Sequence, residues 1–389
     1  QSMEKRICIV TTTRADWGLL MPLARRLAAE PGVRLQLVAS NMHLMPEFGM
    51  TVNEITDAGF TVDERVEMAV AGDDEASRVR AMAMCLGGMA GAFERLRPDC
   101  VVLLGDRYEM LAVASAAAVM RLPIVHIAGG EVSEGAVDDS IRHAITKLST
   151  LHLTATEAYR RRVIQMGEAP ETVVNTGAIG VWNAFNIKPL DRNALEDFLD
   201  LRLDGDIAVV TYHPATNDSS TSPAEQTRAL LEALDTFPGL KCVITYPNND
   251  AGGASIIPLL KSYAERNRDR VRLFQSLGML RYHSLLRHAS VVIGNSSSGI
   301  VEVPSAGIPT VDIGIRQRGR ISAPSVIHCG SSASDIAEAI TEALSPKMRT
   351  LAALRQNPYY KAGTLDIMID SIMALADSLP AQPKHFHDL

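Results

Sequence analysis

The sequence predicts an α/β protein of two Rossmann-like, doubly wound domains facing each other across a cleft. Three observations predict it. Short runs of Val, Ile and Leu recur along the 389 residues, as strands buried on both faces require. Polar loops and amphipathic stretches separate these runs, the rhythm of parallel strands joined by covering helices. That rhythm breaks at a segment rich in chain breakers, 177–190, and then restarts.

In the first half, strands are expected at 6–12, 34–39, 100–105, 124–128, 151–155 and 173–177. Helices are expected between them, as at 19–29, 74–96 and 108–120. In the second half, strands fall at 207–212, 241–246, 271–274, 291–294 and 310–313, with helices at 223–237, 255–266 and 279–288. The domain limits that follow are 1–180 and 181–364; the remainder, 365–389, holds a helix that could cross back onto the first domain. No short-period repeat or low-complexity tract interrupts the pattern. Ligands of such a fold bind at the C-terminal ends of the strands.

Composition narrows the function. At 389 residues the chain exceeds one ordinary core, and 47% hydrophobic with 21% charged residues is ordinary for a soluble globular protein. A net charge of −7 argues against a nucleic-acid polymer as partner, because phosphate backbones want a basic face. Small anions remain open, since a few arginines and helix N-termini suffice for them. No apolar run reaches the roughly 18 residues that cross a bilayer. Gln1-Ser2 ahead of Met3 read as appended residues, with no signal peptide after them. Cys8, Cys85, Cys100, Cys242 and Cys329 are scattered without a CxxC spacing, and Cys8, Cys100 and Cys242 sit in strands as small hydrophobes. A reduced cytoplasmic protein without membrane or cysteine-held metal is the expectation.

The chemistry-bearing residues lie at strand ends. Thr11-Thr12-Thr13-Arg14-Ala15-Asp16 follows the first strand and opens a helix. Free N–H groups and Arg14 there suit a phosphate; a plainly capped loop with a surface arginine is the alternative. The absence of GxGxxG weighs against a dinucleotide cofactor. Gly105-Asp106-Arg107-Tyr108-Glu109 closes the very apolar strand before it. Asp106 points into the cleft or caps the next helix. After Gly129 and Gly130 come Glu131, Glu134, Asp138, Asp139, Arg142 and His143, with Asp139 and His143 on one helical face. Carboxylates this dense at a sheet's mouth can supply an acid and a base; an acidic first helical turn is the alternative. Carboxylate density alone is weak support for a metal, and none is assigned.

In the second half Thr211-Tyr212-His213-Pro214 ends a strand, and Pro214 holds His213 extended. Pro247-Asn248-Asn249-Asp250 signals a turn first and a ligand contact second. Gly294-Asn295-Ser296-Ser297-Ser298-Gly299-Ile300-Val301-Glu302 has the strand, Ser/Gly loop and helix order of a phosphate cradle, with a serine-rich N-cap as the bland reading. Glu302 is placed to accept ribose hydroxyls. Arg316, Arg318 and Arg320 form a solvated loop or clamp a pyrophosphate or sugar.

These motifs, from Thr13-Arg14-Ala15-Asp16 to Asn357-Pro358-Tyr359-Tyr360, resemble the hydrolysing UDP-N-acetylglucosamine 2-epimerases of sialic acid synthesis. They are also similar to the relatives acting on UDP-diacetylbacillosamine in legionaminic acid synthesis. The most specific pieces are 105–109, 129–147, 295–302 and 316–320. The resemblance implies a GT-B-type fold, no cofactor, no catalytic metal and a homo-oligomer. It implies a two-stage reaction: UDP leaves C1 as a base takes the C2 proton, then water adds at C1 and a proton returns to the other face of C2. Two ring faces require at least two carboxyl groups. By matching position, Asp106, Glu131, Asp138, Asp139 and His213 are the catalytic candidates. Arg14, Arg107, Arg142, Asn248, Ser296, Ser297, Ser298, Gly299, Glu302 and Arg316 are the candidates for binding the UDP-sugar. Trp17 stands where relatives often carry another aromatic residue. UDP-N-acetylglucosamine is the first-choice substrate and UDP-diacetylbacillosamine the second. A glycosyltransferase, a non-catalytic sensor and a non-hydrolysing epimerase are the rival classes, and domain closure over the substrate is expected.

Overall fold

The computed structural model describes residues 4–248 and 252–389. The readings placed on Gln1-Ser2 and on Asn249-Asp250 lie outside the described residues. Seven parallel strands make the first sheet: β1 (Lys5–Thr11), β2 (Val33–Ser40), β3 (Glu64–Val66), β4 (Cys100–Leu104), β5 (Ile124–Ile127), β6 (Leu151–Thr154) and β7 (Val173–Asn175). Their order is β3-β2-β1-β4-β5-β6-β7. Six more make the second: β8 (Ile207–Thr211), β9 (Lys241–Thr245), β10 (Val271–Phe274), β11 (Val291–Gly294), β12 (Thr310–Ile313) and β13 (Val326–Cys329). These run β10-β9-β8-β11-β12-β13, also parallel.

Each sheet is covered on both faces, and strand alternation divides the cores. Ile7 and Ile9 of β1 pack with Leu20, Leu23 and Leu27 of the helix Arg14–Ala29. Cys8 and Val10, one residue out of phase, pack with Cys85, Met89 and Phe93 of the helix Glu75–Leu96. In β8, Ala208 and Val210 serve one core while Ile207 and Val209 serve the other. Each fully buried Ile or Leu contributes about 1.5–3 kcal/mol, so uniformly apolar strands are what this architecture selects. Cys8, Cys100 and Cys242 are buried in β1, β4 and β9.

The chain forms two compact units. The first comprises the described residues up to Glu131 with Asp138–Asn183 and Lys361–Leu389; the second comprises Val132–Val137 and the described part of Ala184–Tyr360. The helix Thr364–Asp377 belongs to the first unit, where Leu365, Met368, Ile369 and Ile372 join the core of Ile7 and Leu20. Asp366 pairs there with Arg26 at 2.8 Å. Among the described residues no helix is long and apolar enough to cross a membrane.

The structure corrects four element readings. β3 and β13 have no counterpart among the expected strands, because Glu64-Arg65-Val66 is short and polar and both strands lie at sheet edges. The first helix starts at Arg14 rather than 19, since Thr13 and Asp16 close a capping box ahead of it. The segment read as breakers holds the helix Ile179–Asn186, which Gly177 and Pro189 bound rather than interrupt.

Candidate functional site

Where strand order reverses in a doubly wound sheet, the loops diverge to opposite faces and open a crevice. In the first sheet that reversal lies between β1 and β4, and in the second between β8 and β11. Both loops of each pair carry the polar residues singled out in the sequence.

In the first unit Arg142 is the hub, and only 1% of it is exposed. Its Nε donates to Asp106 Oδ2 at 3.0 Å, and Nη2 contacts the same oxygen. Its Nη1 donates to the Glu131 carbonyl at 3.0 Å and to Asp139 Oδ1 at 3.2 Å. One buried guanidinium therefore gathers Asp106, Glu131 and Asp139 from the ends of β4 and β5 and from the helix Asp138–Leu148. Arg142, expected to bind the UDP-sugar, holds the Asp106 and Asp139 carboxylates and the Glu131 carbonyl, a task that a planar fork with fixed donors suits. Asp106 is not a helix cap, for Arg107 occupies the N-cap position before Tyr108–Val119.

Glu131 is buried behind a turn that only glycine allows: Gly130 has φ +80°, and a Cβ there would fall on the Tyr159 carbonyl oxygen. Asp138 opens the following helix, and His143 Nε2 lies 3.6 Å from Asp139 Oδ2. Burial lowers the His143 pKa, opposed by the nearby Asp139 carboxylate. Glu134 leaves the group. It is exposed and counted with the second unit, where its N–H donates to the Arg318 carbonyl at 2.9 Å. His126 of β5 sits beneath, with Nε2 2.8 Å from the Gly105 carbonyl oxygen and its pKa pushed down to about 4 by burial.

The loop after β1 is wired inward. Asp16 accepts from the Thr12 N–H at 3.0 Å, the Thr13 N–H at 3.3 Å and the Thr11 hydroxyl, and the Thr12 hydroxyl oxygen lies 3.1 Å from its Oδ2. Burial pushes Asp16 up to about 6 against those hydrogen bonds. The amides wanted for a phosphate are thus engaged within the loop, and Arg14 pairs with Glu54 at 2.9 Å. Trp17 is buried edge-on against Phe60, with ring centroids 5.1 Å apart.

In the second unit His213 and Asn295 bind each other across the reversal. The His213 N–H donates to Asn295 Oδ1 at 2.7 Å, and Asn295 Nδ2 donates to the His213 carbonyl at 2.8 Å. His213 Nδ1 accepts the Asn248 N–H at 2.9 Å, which makes it the unprotonated ring nitrogen. Arg316 Nη1 donates to the Asn295 carbonyl at 3.1 Å, so His213, Asn248, Asn295 and Arg316 form one group. Ser296 caps the short helix Ser297–Val301, Ser297 is exposed, and Ser298 Oγ lies 2.6 Å from the Tyr282 hydroxyl. Glu302 joins that helix to Val303–Ala306. Gly294 has φ +143°, and a Cβ there would strike the Thr211 carbonyl, which lets β11 and β8 close up under the loop. A recess follows, lined by Thr211, Tyr282, Gly294, Ser296, Gly299 and Thr310.

Tyr282 and His126 carry no signal in the sequence beyond their element, and Glu109 closes the motif 105–109 with no role of its own expected from sequence. An acidic residue in a first helical turn, such as Glu109, is ordinary, and only burial marks it.

Two doubly wound sheets, carboxylates at one reversal and a hydroxyl-rich loop at the other, define a two-domain α/β protein with the GT-B-like fold. The chain belongs to the UDP-N-acetylglucosamine 2-epimerase family, whose profile matches residues 25–373. It is 38% identical over 346 residues to the GDP/UDP-N,N'-diacetylbacillosamine 2-epimerase (hydrolyzing) of Campylobacter jejuni, covering 89% of each chain. It is 34% identical over 347 residues to the UDP-N-acetylglucosamine 2-epimerase of Neisseria meningitidis serogroup B, covering 88% of each. A crystal structure of UDP-GlcNAc 2-epimerase from Neisseria meningitidis bound to UDP-GlcNAc superposes with a TM-score of 0.79 at 17% identity, over 95% of this chain and all of that one.

Proposed function

We propose that the protein is a hydrolysing 2-epimerase of a UDP-linked 2-acetamido sugar. The observation that carries the reading is the gathering of Asp106, Asp139 and Glu131 around the buried Arg142. A carboxylate of this group takes the C2 proton, the C1–O bond breaks, and UDP departs with the bonding electrons. The ring is left with a C1–C2 double bond. Water then adds its oxygen to C1 while a second group returns a proton to the opposite face of C2. Free sugar inverted at C2 is released. Carboxylates fixed by a rigid guanidinium need no rearrangement between the two proton transfers. The diphosphate is assigned to the serine loop 295–299 with Arg316 and His213, and the ribose to Glu302.

For the sugar, the 38% identity to the Campylobacter enzyme supports UDP-N,N'-diacetylbacillosamine as the substrate. UDP-N-acetylglucosamine, the first choice from the sequence, is the second reading, supported by the 34% identity to the Neisseria relative. Incubation with each UDP-sugar in D2O, followed by proton NMR, tests both. Free 2-epimerised sugar carrying solvent deuterium at C2 is expected from one of them. A product still linked to UDP, or no turnover of either, overturns the reading.

A further inference from the structure

Glu109 is completely buried, yet it lies beside the loops that carry the carboxylate group. It is the second residue of the helix Tyr108–Val119. Its Oε1 accepts from Arg107 Nε at 2.8 Å, Thr12 Oγ1 at 3.0 Å and Asn41 Nδ2 at 3.0 Å. Those donors follow β4, β1 and β2, three strands adjacent in the sheet. Residues two apart on a helix do not face each other, but Arg107 is the N-cap, outside the helical spiral, and its side chain can turn back. Asn41 holds a left-handed φ of +50° at its end of the contact, a conformation asparagine tolerates better than most residues.

Filling space does not account for this arrangement. A buried ion pair stabilises a fold little compared with apolar residues of the same volume. All three donors crowd one oxygen, while Oε2 is buried without a hydrogen-bond partner among the described residues. What the carboxylate does achieve is orientation: it fixes the Arg107 guanidinium, whose side chain is 17% exposed, immediately after Asp106.

We infer that Glu109 is a positioning residue, which locks Arg107 and the strand-end loops of β1 and β2 into the geometry that turnover requires. This rests on the proposed epimerase reading. Glu109 itself touches no substrate; it acts through Arg107.

A double-mutant cycle with Glu109→Gln and Arg107→Ala tests it. Glu109→Gln keeps the volume and is expected to lower kcat/KM by about tenfold in the wild-type background but less than about twofold when Arg107 is already Ala. An equal loss in both backgrounds, or near-wild-type turnover of Glu109→Gln, overturns the inference. A substrate-free readout accompanies it: the Arg107 Nε–Hε signal in arginine-labelled NMR, protected from exchange in the wild type and lost in Glu109→Gln. If the wild type turns over neither UDP-sugar, the epimerase reading fails, and the role of Glu109 is still decided by whether that signal changes. Should Glu109→Gln not fold, Asn41→Ala removes one partner of Oε1 and leaves the charge. It is then expected to shift the Arg107 signal and lower kcat/KM about threefold, and no change in either overturns the proposal.

Discussion

Arg142 shows how much one side chain can decide. Its buried cation is balanced by Asp106 and Asp139 and by the Glu131 carbonyl. Removing one member of a buried charge group leaves the others uncompensated, at a cost of about 3–5 kcal/mol. Arg142→Met is therefore expected to lower the unfolding free energy by about that amount in urea titrations and to abolish turnover. Arg142→Lys, with a single point-like cation in place of the fork, should keep much of the stability and little activity. Buried imidazoles set the acid limit. His43 and His126 are both fully buried, and burial holds each at about 4, below the usual 6.5. A histidine with a depressed folded pKa contributes stability above its unfolded pKa and loses it as pH falls through the folded one. Each is worth roughly 3 kcal/mol, because one pKa unit is about 1.4 kcal/mol. Asp16, raised to about 6, works in the opposite direction and returns a similar amount between pH 6 and 4. The imidazoles outweigh Asp16, and His283, also held at about 4 by burial, acts in the same direction, so stability is expected to fall between pH 6.5 and 4, read from urea midpoints. A stability that rises over that interval would contradict it.

At the scale of elements, the C-terminal tail is an anchored strap rather than a loose end. Lys384 Nζ pairs with Glu168 at 2.6 Å and donates to the carbonyls of Lys147 and Ser149. Phe386 lies under the Lys147 ammonium at 5.1 Å and against Gly167, where any Cβ would collide with its ring. Glu168 is 2% exposed, and burial alone would raise its pKa. Hydrogen bonds from His152, Lys147 and Lys384 instead hold it at about 2. Removing residues 382–389 takes away one of three cationic or imidazole partners and the aromatic cover. A loss of about 1–3 kcal/mol is expected, measured by chemical denaturation, with Lys384→Met alone accounting for most of it. An unchanged midpoint would mean the strap contributes nothing. This element was only partly legible: the helix Thr364–Asp377 shows its period, but the stretch after it has none, and its docking depends on Glu168, more than 200 positions away in sequence.

At the scale of the whole molecule, each unit has its own sheet and its own pair of cores. The proposed nucleotide-binding groups all belong to the second unit. UDP at about 100 times its Kd can stabilise what it binds by about 2.7 kcal/mol. Amide hydrogen exchange should therefore slow most in 207–213 and 291–302, and least in β2 and β3. Protection centred on the first unit would contradict the assignment of the diphosphate.

The sequence by itself determined the fold class, every strand but the edge strands β3 and β13, and the positions of the polar strand ends, because apolar runs and breaker residues are local and their periods survive without contacts. Only the tertiary structure decided that Arg142 gathers the carboxylates, that Asp16 takes up the amides after β1, and that Glu109 ties three loops together. Those outcomes depend on which buried donors meet which acceptors. A charged side chain in a first helical turn reads the same in sequence whether water or a buried partner ends up satisfying it.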